Sequence, residues 1–262
     1  MEYDLIGWIL LNYKGFLLVF IRISTFVFLM PIFSSKIIPL PVKALFSVIL
    51  TWIITPLINI PLSHFPTSAL GFFLIVLQEL FVAMTLALFL RFVFAGLQVA
   101  GQMVGIQMGL SIANIMDPQT GTQSVVIAQF AYMIALLLFL VTNGHHAIIR
   151  AVVESFSLLP PGRLFLSKSV YEMIMLLGQE MFVLSIKLMA PVMALLFLSQ
   201  VALGILAKLV PQINMLIVSF SINVALGLFF FGLTLQYFWP VLARSLDKAI
   251  KLMPLALKSF GG

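Results

Sequence analysis

The chain has 262 residues, of which 63% are hydrophobic and only 8% are charged. Soluble domains carry about 25% charged residues, so this composition excludes a globule in water. Long apolar runs without strict alternation predict an all-α membrane protein and disfavour a barrel. Without cysteine there is no disulfide framework, and a net charge of +6, widely dispersed, argues against nucleic-acid binding while suiting contact with a lipid membrane.

The apolar runs predict about six long hydrophobic helices, accompanied by shorter, broken helices. Each run approaches the roughly 20 residues that a membrane span needs. The acidic start of the chain has the wrong sign for a signal peptide, so we expect the first run to be retained. No linker is long and rich in Ser and Gly, which predicts one integral-membrane unit over residues 1–262. The six runs are 5–33, 44–60, 69–90, 125–142, 182–206 and 213–238.

Four charged residues interrupt these runs, namely Lys14, Arg22, Glu79 and Lys187. Charges inside a membrane are costly and are functional candidates by default. Glu79 stands alone in its segment, so a structural hydrogen bond to a neighbouring helix is the expected role. The four are too scattered in the sequence to indicate the midplane site of a small-solute transporter, which is kept as an alternative function.

A repeat of glycines follows the third apolar run. Gly101, Gly105 and Gly109 recur every four residues and therefore share one stripe of a helix. Removing their side chains allows another helix to approach closely. The stripe predicts a tight helix pair and, in a second interpretation, a hinge leading into a segment that moves.

The segment after the glycines, residues 106–122, begins apolar and breaks at Asp117-Pro118, because the residue before proline is disfavoured in a helix. Its Met and Ile side chains suit a hydrophobic constriction, and Met adapts to irregular gaps. Two interpretations stay open: a mobile pore closure and an ordinary loop between spans.

Two polar breaks follow. Asn143-Gly144-His145-His146 is typical of a helix stop, and residues 143–177 predict a water-facing region with an amphipathic helix. Adjacent histidines point in different directions on a helix, so we expect no metal site and no cofactor there. An intramembrane enzyme using these histidines is the weakest alternative, since no nucleophile, phosphate loop or metalloprotease motif appears.

The last two apolar runs are separated by a short turn around Pro211, which predicts an antiparallel helical hairpin. Lys208 suits the dipole at the end of the first helix. The turn is either purely structural or a docking tip for a partner at the membrane surface. Its candidate docking residues are Lys208, Pro211, Gln212 and Asn214.

Several short motifs recur in an order and spacing that resemble the FliR/SctT family of protein-export gates. FliR serves the bacterial flagellum and SctT is its counterpart in virulence secretion systems, which stays an alternative. No motif is specific alone. Beside the glycine stripe, they are Pro31-Ile32-Phe33, Ile38-Pro39-Leu40-Pro41-Val42-Lys43, Asp117-Pro118-Gln119, Asn143-Gly144-His145-His146, Pro160-Pro161-Gly162, Ala190-Pro191 and Pro211-Gln212-Ile213-Asn214.

The resemblance implies a non-enzymatic channel subunit in the bacterial inner membrane, within the flagellar basal body. It implies a FliP-like part over residues 1–177 and a FliQ-like hairpin with a tail over 178–262. The implied partners are FliP, FliQ and FlhB, the last near the turn at 208–214, with unfolded flagellar proteins as cargo. The segment 106–122 becomes a pore plug, with plug residues Ile106, Met108, Gly109, Leu110, Ile112, Ile115, Met116, Asp117 and Pro118.

Overall fold

The computed structural model describes residues 13–33, 38–58, 68–110, 126–163, 168–212 and 214–260. Over these ranges the chain is helical and contains no strand, which confirms the all-α prediction. A short 3-10 turn, Thr55–Leu57, follows the second helix. The α-helices in these ranges are α1 (Tyr13–Leu29), α2 (Leu40–Ile54), α3 (Ala69–Gln107), α4 (Val126–Val141), α5 (Gly144–Leu158), α6 (Lys168–Leu209) and α7 (Met215–Phe260).

Within the described ranges, four helical stretches are long and apolar enough to cross a membrane. A fifth span results if α4 and α5, a broken helix pair, count as one crossing. The expected number of about six is therefore not confirmed. Part of the first expected segment, 5–33, lies outside the described residues, and its described part forms the 17-residue helix α1.

Three helices extend much further than their apolar cores. Helix α3 has 39 residues, α6 has 42 and α7 has 46, so each continues through polar or glycine-rich residues outside the predicted apolar runs. In the tail of α7, Ala249, Met253 and Leu257 are buried while Lys248 and Lys251 are exposed. Polar residues thus continue a helix when they fall on its exposed face.

Helix α5 is the amphipathic helix expected between 143 and 177. Its buried residues include Ile148, Val152 and Phe156 at helical spacing, whereas Arg150 and Glu154 are exposed. The expected stop before it is confirmed, because α4 ends at Val141 and Asn143 takes a left-handed conformation with φ 58°. That conformation is tolerated by Asn and ends the run of helical hydrogen bonds.

The chain divides into two compact units. The first unit comprises residues 1–91, 143–177 and 248–262, and the second comprises 92–142 and 178–247. Edge-to-face ring contacts occur in each: Phe81 with Phe260 at 5.9 Å in the first, and Phe94 with Phe139 at 5.8 Å in the second.

Candidate functional site

In the second unit, glycine brings α3 against α4. A Cβ added to Gly101 would collide with the backbone of Ala128, lying 2.9 Å from its nitrogen and closer still to its Cα. Ala128 and Gly101 are both buried. Only glycine at 101 allows this approach, since a backbone neighbour cannot rotate away as a side chain can. The contact is of the kind that the glycine stripe suggested.

A second close approach joins α3 to α6. A Cβ on Gly96 would lie 2.9 Å from the carbonyl oxygen of Met181 and 3.1 Å from Leu184 Cδ2. The hydroxyl of Ser185 donates to the Gly96 carbonyl at 2.7 Å and lies 2.8 Å from the Met181 carbonyl. At this crossing the absence of a side chain on Gly96 and the short hydroxyl of Ser185 therefore let the two helices approach closely.

Helix α3 ends in a Schellman motif, in which two backbone bonds cap the last carbonyls. The Gly109 N–H donates to the Ile106 carbonyl at 3.0 Å, and the Leu110 N–H donates to the Gly105 carbonyl at 3.0 Å. Gly109 has φ +83°, a conformation that L side chains rarely adopt. Placing Gly109 on the helical stripe with Gly101 and Gly105 was wrong, because the helix has ended at Gln107 and Gly109 takes a left-handed backbone conformation.

The α6–α7 turn forms the expected hairpin. Helix α6 ends at Leu209 with Lys208 in its last turn, and α7 begins at Met215. Ser199 and Asn223, twelve residues on either side of Pro211, are joined by a hydrogen bond of 3.0 Å from the Ser199 hydroxyl to Asn223 Oδ1. This symmetric pairing requires the helices to run antiparallel. The candidate docking residues Lys208, Pro211, Gln212 and Asn214 are all exposed.

A cavity of about 460 Å³ lies in the second unit between the end of α3 and this hairpin. The Gln200 amide spans the same region, donating to the Gln107 carbonyl at 3.0 Å. The start of the candidate plug and the arms of the hairpin therefore share one site, whereas the sequence treated them separately. The lining is Ile106, Gln107, Met108, Gly109, Gln200, Leu203, Gly204, Ala207, Met215, Ser219, Phe220 and Asn223.

The candidate plug residues divide into two groups. Met108 is fully buried, Ile106 is 61% exposed, and Gly109 and Leu110 are half-buried. Met108 lies against Gly227 of α7, where a Cβ would be 2.5 Å from Met108 Cγ. The remaining candidates, Ile112, Ile115, Met116, Asp117 and Pro118, lie outside the described residues.

The first unit contains a buried ion pair that the sequence did not reveal. Arg22 Nε donates to Glu79 Oε2 at 2.6 Å, and Arg22 Nη2 donates to Glu79 Oε1 at 2.9 Å. The two side chains are 0% and 1% exposed. The predicted structural hydrogen bond between Glu79 and a neighbouring helix is confirmed. The description of Glu79 as isolated, and of these charges as scattered, was wrong for this pair, because residues 57 positions apart meet when α1 packs on α3.

Two further N–H groups of Arg22 donate to α5 and to the residue that follows it. Its Nη1 donates to the Ser155 hydroxyl at 3.1 Å and its Nη2 to the Leu159 carbonyl at 3.0 Å. The guanidinium carbon also lies 4.1 Å from the centre of the Phe156 ring. A buried charge is tolerated when its hydrogen bonds are satisfied in this way. The cluster has the character of a structural joint between three helices.

The adjacent histidines also lie in the first unit. The rings of His145 and His146 are 4.2 Å apart between centres, and the planes are tilted by 45°. Over the ranges that the structure describes, no group of three His, Cys, Asp or Glu side chains converges in metal-binding geometry.

Two features of these sites were missed by sequence reasoning. Opposite charges in separate apolar runs, Arg22 and Glu79, signal a partnership, since an unpaired charge in a membrane is so costly. Gly227 offered no signal, because a single glycine in an apolar helix is common in membrane proteins and its contact with Met108 depends on tertiary packing.

A family model and individual relatives both match this chain, and they indicate the same family. The family model for bacterial export proteins, family 1, matches residues 13–249. The chain is 34% identical over 220 residues to the flagellar biosynthetic protein FliR of Bacillus subtilis (strain 168), covering 82% of this chain and 83% of the relative. It is 30% identical over 223 residues to FliR of Escherichia coli (strain K12), covering 85% and 83%. Helices fit to span a membrane agree with this match, and the chain belongs to the FliR family of flagellar export proteins.

Proposed function

We propose that this chain is a channel-forming core subunit of the flagellar protein-export gate. The observation that carries the proposal is family membership together with a set of apolar helices fit to span a membrane. In this proposal the chain lies in the bacterial inner membrane within the basal body. It passes unfolded flagellar proteins without a chemical step, and flagellar relatives favour this system over the virulence counterpart.

The proposed assembly joins this chain to FliP, FliQ and FlhB. Residues 1–177 would supply the FliP-like part and 178–262 the FliQ-like hairpin, an idea supported by the antiparallel pairing of Ser199 with Asn223. Many large apolar side chains of α6 and α7 are exposed, among them Phe197, Ile205 and Phe229. Such surfaces suit lipid or the helices of sister subunits.

The segment 106–122 is the proposed pore plug. Support comes from the end of α3, where the Schellman cap at Gly109 and the burial of Met108 give the segment a defined starting point. A segment that is tied at its start and mostly apolar up to Met116 suits a closure that excludes water and ions.

The plug is tested by removing it from an assembled gate. A chain in which a Gly/Ser linker of equal length replaces residues 106–122 should copurify with FliP and FliQ and conduct ions in planar bilayers. The unaltered gate should remain closed under the same voltage. A linker-bearing gate that assembles normally and stays closed would show that the plug lies elsewhere.

The proposed FlhB contact is tested at the hairpin turn. A photoreactive residue at Gln212, which is exposed, should crosslink to FlhB in living cells. The matched control is Tyr237, also exposed and in the same unit, which should give no FlhB adduct. If the residue at 237 crosslinked to FlhB and the residue at 212 did not, FlhB would not contact the turn.

A further inference from the structure

The hairpin of α6 and α7 contains a charge-free stretch whose length matches the thickness of a lipid bilayer. On α6 no charged residue lies between Lys187 and Lys208, and the intervening residues 188–207 extend over about 30 Å of helix. The hydrocarbon core of a typical bilayer is also about 30 Å thick. Helix α6 has 42 residues and is therefore longer than a crossing requires. The two lysines mark a candidate pair of membrane surfaces.

Lys187 is a cation on an otherwise apolar, exposed face of α6. Phe182 and Ile186 are exposed beside it, and no carboxylate among the described residues forms an ion pair with it. An unpaired cation at the centre of the hydrocarbon is costly, whereas a lysine at its edge extends its ammonium group to the headgroups. The exposure of Lys187 therefore favours a position at the edge of the bilayer.

The exposed face of α7 changes from apolar to polar along its length. Phe229 and Leu233 are exposed and apolar, whereas Arg244, further along the helix, is exposed and charged. Between them Tyr237 is exposed and Trp239 is half-buried. Tyr and Trp are enriched where a membrane meets water, because their rings are apolar and carry one polar group. The exposed face of α7 thus indicates a membrane surface near Tyr237.

The two helices reach this surface at the same level. The Ser199 hydroxyl donates to Asn223 Oδ1, which places these residues side by side in the antiparallel pair. Counted from that bond, Lys187 lies about 18 Å away along α6, and Tyr237 lies about 21 Å away along α7 in the same direction. Lys208 lies about 14 Å away in the opposite direction, towards the turn. A cation on one helix and an aromatic residue on the other therefore indicate one surface.

We propose that the hairpin crosses the bilayer between these two levels and that Lys187 binds the phosphate of a lipid headgroup. Lipid chains then cover Phe197 and Leu198, which lie midway between the two lysines and are 59% and 62% exposed. Beyond Lys187 and Tyr237, the turns of both helices that belong to the second unit lie in the headgroup layer or in water. This placement goes beyond the proposed channel function and does not depend on the plug.

Spin labels measure the depth of each position, and the chain contains no cysteine that would compete for the label. Single cysteines at the exposed positions 179, 197, 229 and 244 would carry a nitroxide. The full chain would be purified with its native membrane partners and placed in nanodiscs of phosphatidylethanolamine and phosphatidylglycerol. Oxygen, which partitions into hydrocarbon, should relax the labels at 197 and 229 most strongly. A water-soluble nickel chelate should relax the control labels at 179 and 244 most strongly.

Two outcomes of the depth measurement overturn the placement. Equal relaxation by oxygen at 179 and 197 would mean that a different part of α6 lies in the hydrocarbon. Weak relaxation of the label at 197 by both reagents would mean that a sister subunit, and not lipid, covers this face. Neither result bears on the plug, which the linker variant tests separately.

The contact between Lys187 and a lipid phosphate is tested through its charge. The thermal midpoint of the chain should be higher in nanodiscs that contain phosphatidylglycerol than in phosphatidylcholine alone, because choline offsets the phosphate charge. Lys187→Gln should reduce this difference, since it removes the cation at the headgroup level. The matched control, Lys187→Arg, keeps the cation and should keep the difference. If Lys187→Gln retained the full difference, Lys187 would not bind the lipid phosphate.

Discussion

Different kinds of contact stabilise the helix packing inside each of the two units. In the first unit, a buried arginine joins three parts of the chain through directional hydrogen bonds, with Glu79 as its counter-ion. In the second unit, Gly96, Gly101 and Gly227 remove side chains so that helices or a methionine approach closely. The first contact depends on charge and the second on space.

The difference determines which substitutions each unit tolerates. A buried ion pair fails when one partner is lost, because the other charge stays buried, yet an apolar pair of similar volume can replace both. A glycine contact has no such compensating change when its neighbour is backbone. The first unit should therefore be rescued by paired substitutions, and the second should not.

The largest effect is expected from Arg22→Met. It leaves the Glu79 carboxylate without its cation at a site that is 1% exposed, and breaking a buried pair costs about 3–5 kcal/mol. We expect the thermal midpoint of the purified chain in detergent to fall sharply.

The paired variant Arg22→Met, Glu79→Met decides whether charge is the cause. It should recover most of the lost stability in a double-mutant cycle, since no charge then remains buried. If the paired variant is as unstable as Arg22→Met alone, the hydrogen bonds of Arg22 to Ser155 and Leu159 would outweigh its pairing with Glu79.

The next effect is expected from Gly101→Ala. The new methyl group meets the backbone of Ala128, so α3 and α4 must separate, at a cost of about 3 kcal/mol. The matched control is Gly178→Ala, where an added Cβ would meet no atom within 4 Å. Because alanine favours helices over glycine by about 0.5–1 kcal/mol, the control should be neutral or stabilising. Equal melting of the two variants would contradict the close approach.

A smaller effect is expected from Ser185→Ala, which removes the hydroxyl bonded to the Gly96 carbonyl at 2.7 Å. Hydrogen bonds between membrane helices average about 0.6 kcal/mol, so the melting shift should be small but reproducible. Ser221→Ala is the control, because Ser221 is exposed and its hydroxyl donates to the carbonyl of Ile217 in its own helix. If Ser221→Ala lowered the melting temperature as much as Ser185→Ala, the interhelical hydrogen bond would not be the cause of the loss.

The helical class and the breaks at 143 and 211 were predictable, because each depends on local chemistry. Apolar runs of membrane length specify helices, and Asn143 and Pro211 each stand at a break between two helices. Helix lengths were not predictable from apolar runs alone. Polar residues of α3 and the α7 tail continue the helix, since they fall on faces where a charge or an amide is tolerated.

The candidate site was predictable only in part. The glycine repeat marked a close contact, and Gly101 makes one. Gly109 was assigned to the same stripe because spacing does not distinguish a packing glycine from a capping glycine. The contact of Met108 with Gly227 and the pairing of Arg22 with Glu79 join distant positions, and only tertiary packing brings them together.

The smallest effect on stability is expected from breaking an ion pair that is exposed to solvent. Lys168 and Glu172 of the first unit are 3.5 Å apart, with side chains 89% and 62% exposed. Water screens such a pair, so Glu172→Gln should change stability by no more than a few tenths of a kcal/mol, roughly. The same measurement at high salt should show no further change. A loss of stability comparable to that of Arg22→Met would mean that charge pairing stabilises this unit even without burial. Burial of the Arg22–Glu79 pair would then not explain why the first unit differs from the glycine contacts of the second.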